Sequence, residues 1–418
     1  MSKARMHERE PAPPKFYPLM LGDDPSYFDL LEKEAKKIEG IDWIVVPQSR
    51  SAEGIDHAAH LARDVGARVI SLCSHKAKIE RVAERLEALH VPEWAAIEVP
   101  QGYTIPGVDL ISDQVIPTQA QKDLDWNLSD KRNLAMVMAR LADADRIFFH
   151  DDDLYILPEA LAKVGIMLFQ REIAGLRCGS FPDRSTLMHA RRIIANYHMT
   201  RNPLPIQRDA LTSGNSMGID VRRMRRHFPR RIYNEDWIAQ QDAIVRKKAA
   251  VVDAYYHQTS YDPLSPKRAR QEEFGDLLIT GLFQNINEAR EDPDQPHLRD
   301  PFYWEKIIEA RREQILSLVD AAEAVPSKQY RRFTSNPKTW QAMPHAAQEA
   351  LRGSLYAGLR VNVTLEGAHF VDYVAALNED NREWGDMLHK LPHYPMPFSD
   401  VCARMGLERY LTNIRDEA

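Results

Sequence analysis

From Asp42 to about Tyr261, short apolar runs alternate with segments of helical period. DWIVVPQ, ARVISLC and WAAIEVPQ, starting at Asp42, Ala67 and Trp94, read as strands. Between them, SAEGIDHAAHLARDVG reads as a helix that stops at Gly66, and KAKIERVAERLEALH as a second helix. This is a βαβ opening, and it assigns the region to the α/β class with a sheet covered by helices. A polar stretch from Gly102 to about Leu128 interrupts the alternation, and loops of that length in a compact domain are usually functional or mobile.

The next segment is SDKRNLAMVMARLADADRIFFHDDDLYI. Ser129 is its expected helix cap, Leu134, Val137, Met138 and Leu141 form the apolar face, and the strand Arg146–Phe149 runs into His150, Asp151, Asp152 and Asp153. Beyond Tyr261 the strand signals stop. FGDLLITGLFQNINEAR, the stretch from Tyr303 to Val325, and segments near 342–357, 365–390 and 399–415 all read as helices. In the second, Trp304, Ile307, Ile308, Ile315, Leu318 and Val319 make one stripe. The expected organisation is an N-terminal arm and helix over 1–40 (Ser26 as N-cap, Gly40 as stop), an α/β domain over 41–262, and a helical region over 263–418.

Composition narrows the function classes. Lys and Arg number 55 against 61 Asp and Glu, for a net charge of −6, which disfavours nucleic acid or an anionic membrane as partner. No run approaches the roughly 20 apolar residues that span a bilayer, and the first residues lack the apolar core of a signal peptide, so a cytoplasmic location is expected. Three widely spaced cysteines, Cys73, Cys178 and Cys402, build neither a disulfide framework nor a thiolate metal site. Any metal must be held by oxygen or imidazole.

Carboxylates at the end of a strand in an open α/β fold lie where ligands bind. Three adjacent ones repel one another, and a hard divalent cation relieves that repulsion while bridging nucleotide phosphates. The competing reading is a solvated acidic turn ahead of the helix LPEALAKVG.

The order of motifs resembles the GT-A glycosyltransferases, especially the large inverting family 2. IVVPQSRS ends the first strand, DKRNLAMVMA starts a helix, FFHDDDLY contains an Asp-x-Asp, TSGNSMGID follows, and then come Asn-Glu-Asp-Trp and a Tyr-His. Together they cover residues 41 to 261. The resemblance implies a GT-A, Rossmann-like nucleotide-sugar domain. The reaction it implies is hexosyl transfer from a UDP- or GDP-sugar to a small or soluble acceptor, with Mn²⁺ or Mg²⁺ as cofactor and with inversion.

By this resemblance Asp151 and Asp153 contact metal and donor with Asp152 between them, the register within the triplet staying open by one. Pro47, Ser49 and Arg50 lie where the family holds the nucleoside. Gly214 and Asn215 belong to a small-residue segment against the donor, with Gly218 also permitting close approach, and His257 completes the metal shell. Asp236 is the base that takes the acceptor's proton, supported by Glu235. The alternative for the acid pair is helix N-terminal charge. Lys131 and Arg132, at a helix start, are candidates for the donor's base or diphosphate, or are surface charge. Where the family often has an acidic residue after the second strand, this chain has Ser74 and His75, which leaves the nucleotide open. The basic stretch Val221–Arg231 reads as a solvated helix face plus loop, or as a polyanion site. A retaining GT-A enzyme and a non-catalytic nucleotide-sugar-binding protein are the rival functions. The helical region could serve a homo-oligomer.

Overall fold

The computed structural model describes residues 40–121, 127–178, 185–198, 212–258, 264–291, 297–324, 345–392, 394–407 and 411–412. The helix expected at 26–40 therefore lies outside the described residues, save Gly40. Lys37 to Ala418 form one compact unit.

Its centre is a mixed sheet of β1 Trp43–Val46, β2 Arg68–Cys73, β3 Trp94–Glu98, β4 Arg146–His150, β5 Leu154–Ile156, β6 Ile173–Cys178, β7 Ser216–Asp220, β8 Ala249–Gln258 and β9 Leu411–Thr412. The spatial order is β5-β8-β6-β7-β4-β1-β2-β3-β9. Strands β3, β2, β1 and β4 run parallel; β7 is antiparallel to both β4 and β6. Chain order thus moves outward from β1 to β3 and then returns to β4 on the other flank of β1. The reversal creates a switch point between the carboxyl ends of β1 and β4, the place where open α/β sheets receive ligands.

The strands read as unbroken apolar runs because both faces are covered. Trp43, Val45, Ile147 and Phe149 face one core, shared with helix Leu128–Leu141 and with Trp384, Phe398 and Val401 from the C-terminal region. Their chain neighbours Ile44, Val46 and Phe148 face the other core, with helices Asp56–Val65, Ile79–Ala88 and Pro158–Leu168. Gly66 ends the first of these in the left-handed region at φ 71°, as its sequence position predicts.

Past β8 the described residues are almost entirely helical: Pro266–Glu291, Pro301–Ala324, His345–Asn362 and Gly367–Lys390. A separate core holds Trp304, Ile307, Phe274, Phe370 and Tyr373, whose stacked rings include Phe274–Phe370 at 4.7 Å and Trp304–Phe370 at 4.9 Å. The stripe on Pro301–Ala324 divides between two cores, Ile315 and Val319 joining a smaller one with Leu351 and Leu355. None of the described helices is long and apolar enough to cross a membrane.

Four local expectations are corrected. Ser129 is inside the first turn of its helix, not its cap, and donates its hydroxyl to the Pro229 carbonyl at 2.7 Å. The segment expected as a helix over 399–415 is helical only from Phe398 to Arg404; Gly406, at φ 69°, turns the chain, and Leu411–Thr412 pair with β3. Val221–Arg231 contains no helix. Three of its six arginines are taken up in the protein: Arg222 pairs with Asp143 and Asp145, Arg223 with Asp220, and Arg230 with Asp113. The stretch after Gly102 carries two short helical turns, Ser112–Gln114 and Thr118–Gln121. It is tethered where the buried Asp380 carboxylate accepts the N–H groups of Ile111 and Ser112 at 2.7 and 2.9 Å.

Candidate functional site

β4 delivers the aspartates to the switch point: Ile147 to Phe149 and then His150 are fully buried, and partial exposure begins at Asp151. Each of the three carboxylates has a different environment. Asp152 is committed to structure: its Oδ2 accepts the backbone N–H groups of Ser49 and Arg50 at 3.1 and 3.0 Å, and its Oδ1 accepts the Arg50 guanidinium at 2.7 Å. These bonds clasp the loop after β1 onto the turn after β4. Gly54 is required there, since a Cβ on it would lie 2.9 Å from the Asp152 Cβ and carbonyl oxygen.

Asp151 and Asp153 flank that clasp, and each has one buried carboxylate oxygen, Oδ1, without a hydrogen-bond partner. Buried polar atoms are nearly always satisfied, so two oxygens in one turn that accept no hydrogen bond, Asp153 Oδ1 and the Asp151 Oδ1 that has an Arg132 nitrogen 3.5 Å away, are an exception that needs an account. Burial pushes the Asp151 carboxyl up to about 6, against the pull of Arg132 and with Asp153 and Asp152 adding to the rise. Asp153 uses its other oxygen to accept from Gln258 at 3.1 Å and to pair with Arg50 at 3.0 Å.

Behind Asp151 lies Arg132, buried between the rings of Phe149 and Phe228, with its guanidinium carbon 5.8 and 5.6 Å from their centroids. It bonds Glu235 at 2.5 Å and lies 3.5 Å from Asp151, so one cation serves two carboxylates. Burial raises the Glu235 carboxyl above the ordinary range despite Arg132, and the charge of Asp236 beside it adds to the rise. Asp236, half-buried, accepts the Gly214 N–H at 2.6 Å and the Trp237 N–H at 2.8 Å. A Cβ on Gly214 would come within 2.6 Å of the Arg132 guanidinium and 2.8 Å of the Asp236 Cβ, so only glycine fits that approach. Asn215 closes the ring by accepting the Asp151 N–H on its carbonyl at 3.0 Å, while its own Oδ1 is buried without a partner.

The fold therefore brings Arg50, Ser49, Arg132, Asp151, Asp152, Asp153, Gly214, Asn215, Glu235 and Asp236 to one region. It treats the remaining candidates differently. Lys131 is buried and donates to the Gln48 carbonyl at 2.8 Å and to the Ser74 hydroxyl at 2.7 Å, tying the ends of β1 and β2; burial lowers its ammonium to about 8. Pro47, next to Gln48 in the chain, is also buried. Gly218 supports packing, since a Cβ there would meet Val164 at 2.6 Å and Leu168 at 2.9 Å. His257 pairs across the sheet with Tyr155, and strand alternation turns it to the face opposite Gln258, the residue that reaches Asp153. Among the described residues, no group of three or more His, Cys, Asp or Glu has an arrangement that could hold a metal ion.

Sequence reasoning missed Gln48, Gln240 and Gln258. Gln48 is fully buried, accepts from Ser71 at 2.9 Å and donates to the Ser51 carbonyl at 2.8 Å. Gln240 donates to the Thr212 carbonyl at 2.6 Å from within the helix Glu235–Val245. Amides of this kind carry no periodic signal. Only the position of Gln48, a polar residue directly after an apolar strand, could have drawn attention.

The fold and site define a mixed α/β protein with a carboxylate cluster at a sheet switch point. Comparison with protein-family models and with curated proteins finds no match to this chain.

Proposed function

We propose that this chain is a metal-dependent glycosyltransferase of the GT-A type that transfers a sugar from a nucleoside diphosphate to a hydroxyl acceptor with inversion. The observation that carries the reading is a pair of buried oxygens that accept no hydrogen bond, Asp153 Oδ1 and Asp151 Oδ1, the latter held only by the Arg132 guanidinium at 3.5 Å, on either side of a carboxylate already engaged by backbone N–H groups. Oxygen donors of this kind suit Mg²⁺ or Mn²⁺, and the site favours added positive charge: among the described residues, the carboxylates of Asp151, Asp152, Asp153 and Asp236, with the buried Glu235 carboxyl beside them, are accompanied by Arg50, Arg132 and the buried Lys131. Asp151 and Asp153 would hold the cation, which when bound neutralises charge on the departing diphosphate.

The other residues have separable tasks. Asp152 holds the loop carrying Ser49 and Arg50 against the turn. Gly214 lets Arg132 and Asp236 close against the backbone ahead of β7. Asp236, whose two oxygens are fixed by N–H donors, accepts the proton of the acceptor hydroxyl, and Glu235 with Arg132 sets the floor beneath it.

The test is thermal melting with UDP, GDP and their common sugars, each with Mn²⁺, Mg²⁺ or EDTA, on the wild type and on Asp151→Ala/Asp153→Ala. A rise in Tm that needs metal and vanishes in the double variant is expected. If no nucleotide raises Tm with any metal, the aspartates are a structural turn and the reading fails.

A further inference from the structure

Arg50 stands apart from the other cations of the site. Its side chain is 58% exposed, whereas Asp152 and Asp153, which it bridges, are 5% and 10% exposed. One nitrogen, Nη1, reaches Asp152 Oδ1 at 2.7 Å and Asp153 Oδ2 at 3.0 Å. The three aspartates all raise the charge affinity of this guanidinium, against the cost of its partial burial. Arg50 thus lies across the mouth of the carboxylate cup as a built-in counterion.

Its main chain is held by the other oxygen of the Asp152 carboxylate. The Arg50 N–H and the neighbouring Ser49 N–H both donate to Asp152 Oδ2. If the guanidinium leaves the cup, those bonds keep its Cα at the rim. A released guanidinium at that point is a short, tethered, planar donor set suited to two phosphate oxygens.

We infer that Arg50 exchanges roles on loading: without metal it is the counterion of Asp152 and Asp153, and a divalent cation held by Asp151 and Asp153 displaces its guanidinium onto the diphosphate of the donor. The inference rests on the proposed metal-dependent reading and adds a residue that opposes the metal and favours the nucleotide. These opposite signs separate it from a simple binding residue, whose removal would weaken both ligands, and from a purely structural one.

The experiment titrates Mn²⁺ alone, by calorimetry or by the loss of its free-ion electron-spin signal, into wild type, Arg50→Gln and Arg50→Lys. UDP and GDP are then titrated into each at saturating Mn²⁺. Removing one charge from a half-exposed ion pair should tighten Mn²⁺ about threefold to tenfold in Arg50→Gln. The same variant should bind the preferred nucleotide about tenfold more weakly, because a charged bidentate contact is lost. Arg50→Lys keeps the charge, so its Mn²⁺ affinity should stay within about twofold of wild type while nucleotide binding still weakens. Unchanged or weaker Mn²⁺ binding in Arg50→Gln overturns the exchange and leaves the metal site standing. If the wild type binds no Mn²⁺, or binds it equally after Asp151→Ala/Asp153→Ala, the metal reading itself falls, and the exchange with it.

Discussion

The side-chain amide of Asn234 donates to the carboxylate of Asp276 at 2.7 Å, which joins the turn before the acid pair to the first long helix of the C-terminal region. Asn234 is in the left-handed conformation at φ 63°, immediately ahead of Glu235 and Asp236. The same helix presses on that turn at Gly275, where a Cβ would lie 2.1 Å from the Tyr233 carbonyl oxygen. Asp276 is in turn gripped by Arg311 at 2.6 Å, and Arg311 also pairs with Glu273. The direction in which Glu235 and Asp236 leave the turn is therefore set from outside the α/β layer.

Asn234→Ala should destabilise the protein by about 1–3 kcal/mol, since it loses a partly buried hydrogen bond and keeps a conformation that disfavours a Cβ. Asn234→Gly should lose less, because glycine adopts positive φ freely. Urea denaturation of both variants checks this; equal losses would show that the turn is unstrained.

Two glycines should respond differently to a methyl group. Gly214→Ala drives its Cβ into Arg132 and Asp236 and should abolish nucleotide stabilisation in the melting assay. Gly218→Ala crowds Val164 and Leu168 instead, costing about 1–3 kcal/mol of stability while the folded fraction still binds nucleotide. Tm with and without ligand separates the two effects.

For the acid pair, Asp236→Asn should lower transfer about 10²–10⁴-fold with nucleotide affinity nearly unchanged, as expected of a general base. Near-normal turnover would favour a retaining mechanism. The readout is initial rate once an acceptor is in hand, alongside nucleotide calorimetry.

Stability of the metal-free protein should carry the signature of Asp151. Its carboxyl is raised by burial to about 6 from 3.8, so between those values the folded chain keeps a proton that the unfolded chain has released. The contribution is present in full below about pH 4 and is lost as pH climbs to about 6. Asp151→Asn removes that loss. It should exceed wild type by about 1–2 kcal/mol at pH 7 in EDTA and converge with it near pH 4, as measured by urea denaturation at the two pH values. A gap that does not change with pH would show that Asp151 is not the group titrating.

Much of the α/β layer was legible because its signals are local. Val45, Ile70 and Phe149 are in continuous apolar runs, and a sheet covered on both faces demands that pattern. Gly66 ended its helix where glycine is expected, and the triple aspartate stood where an apolar strand stopped. What could not be read depends on partners distant in the chain. Nothing near Asp152 announces that Ser49 and Arg50, about a hundred residues earlier, use up its oxygens. The arginines after Val221 looked like a helix face because their acids lie elsewhere, Asp143 and Asp145 for Arg222 and Asp113 for Arg230. His257 stood next to the residue that reaches Asp153, and only the pleat of the strand distinguishes the two.

Trp384, Phe398 and Val401 are packed in the same core as Trp43 and Phe149, and Leu411–Thr412 add a strand beside β3. The helical region is consequently no exchangeable cassette. A protein engineer who grafts it onto another sheet, or cuts the chain after β8, would open the interior of the sheet itself.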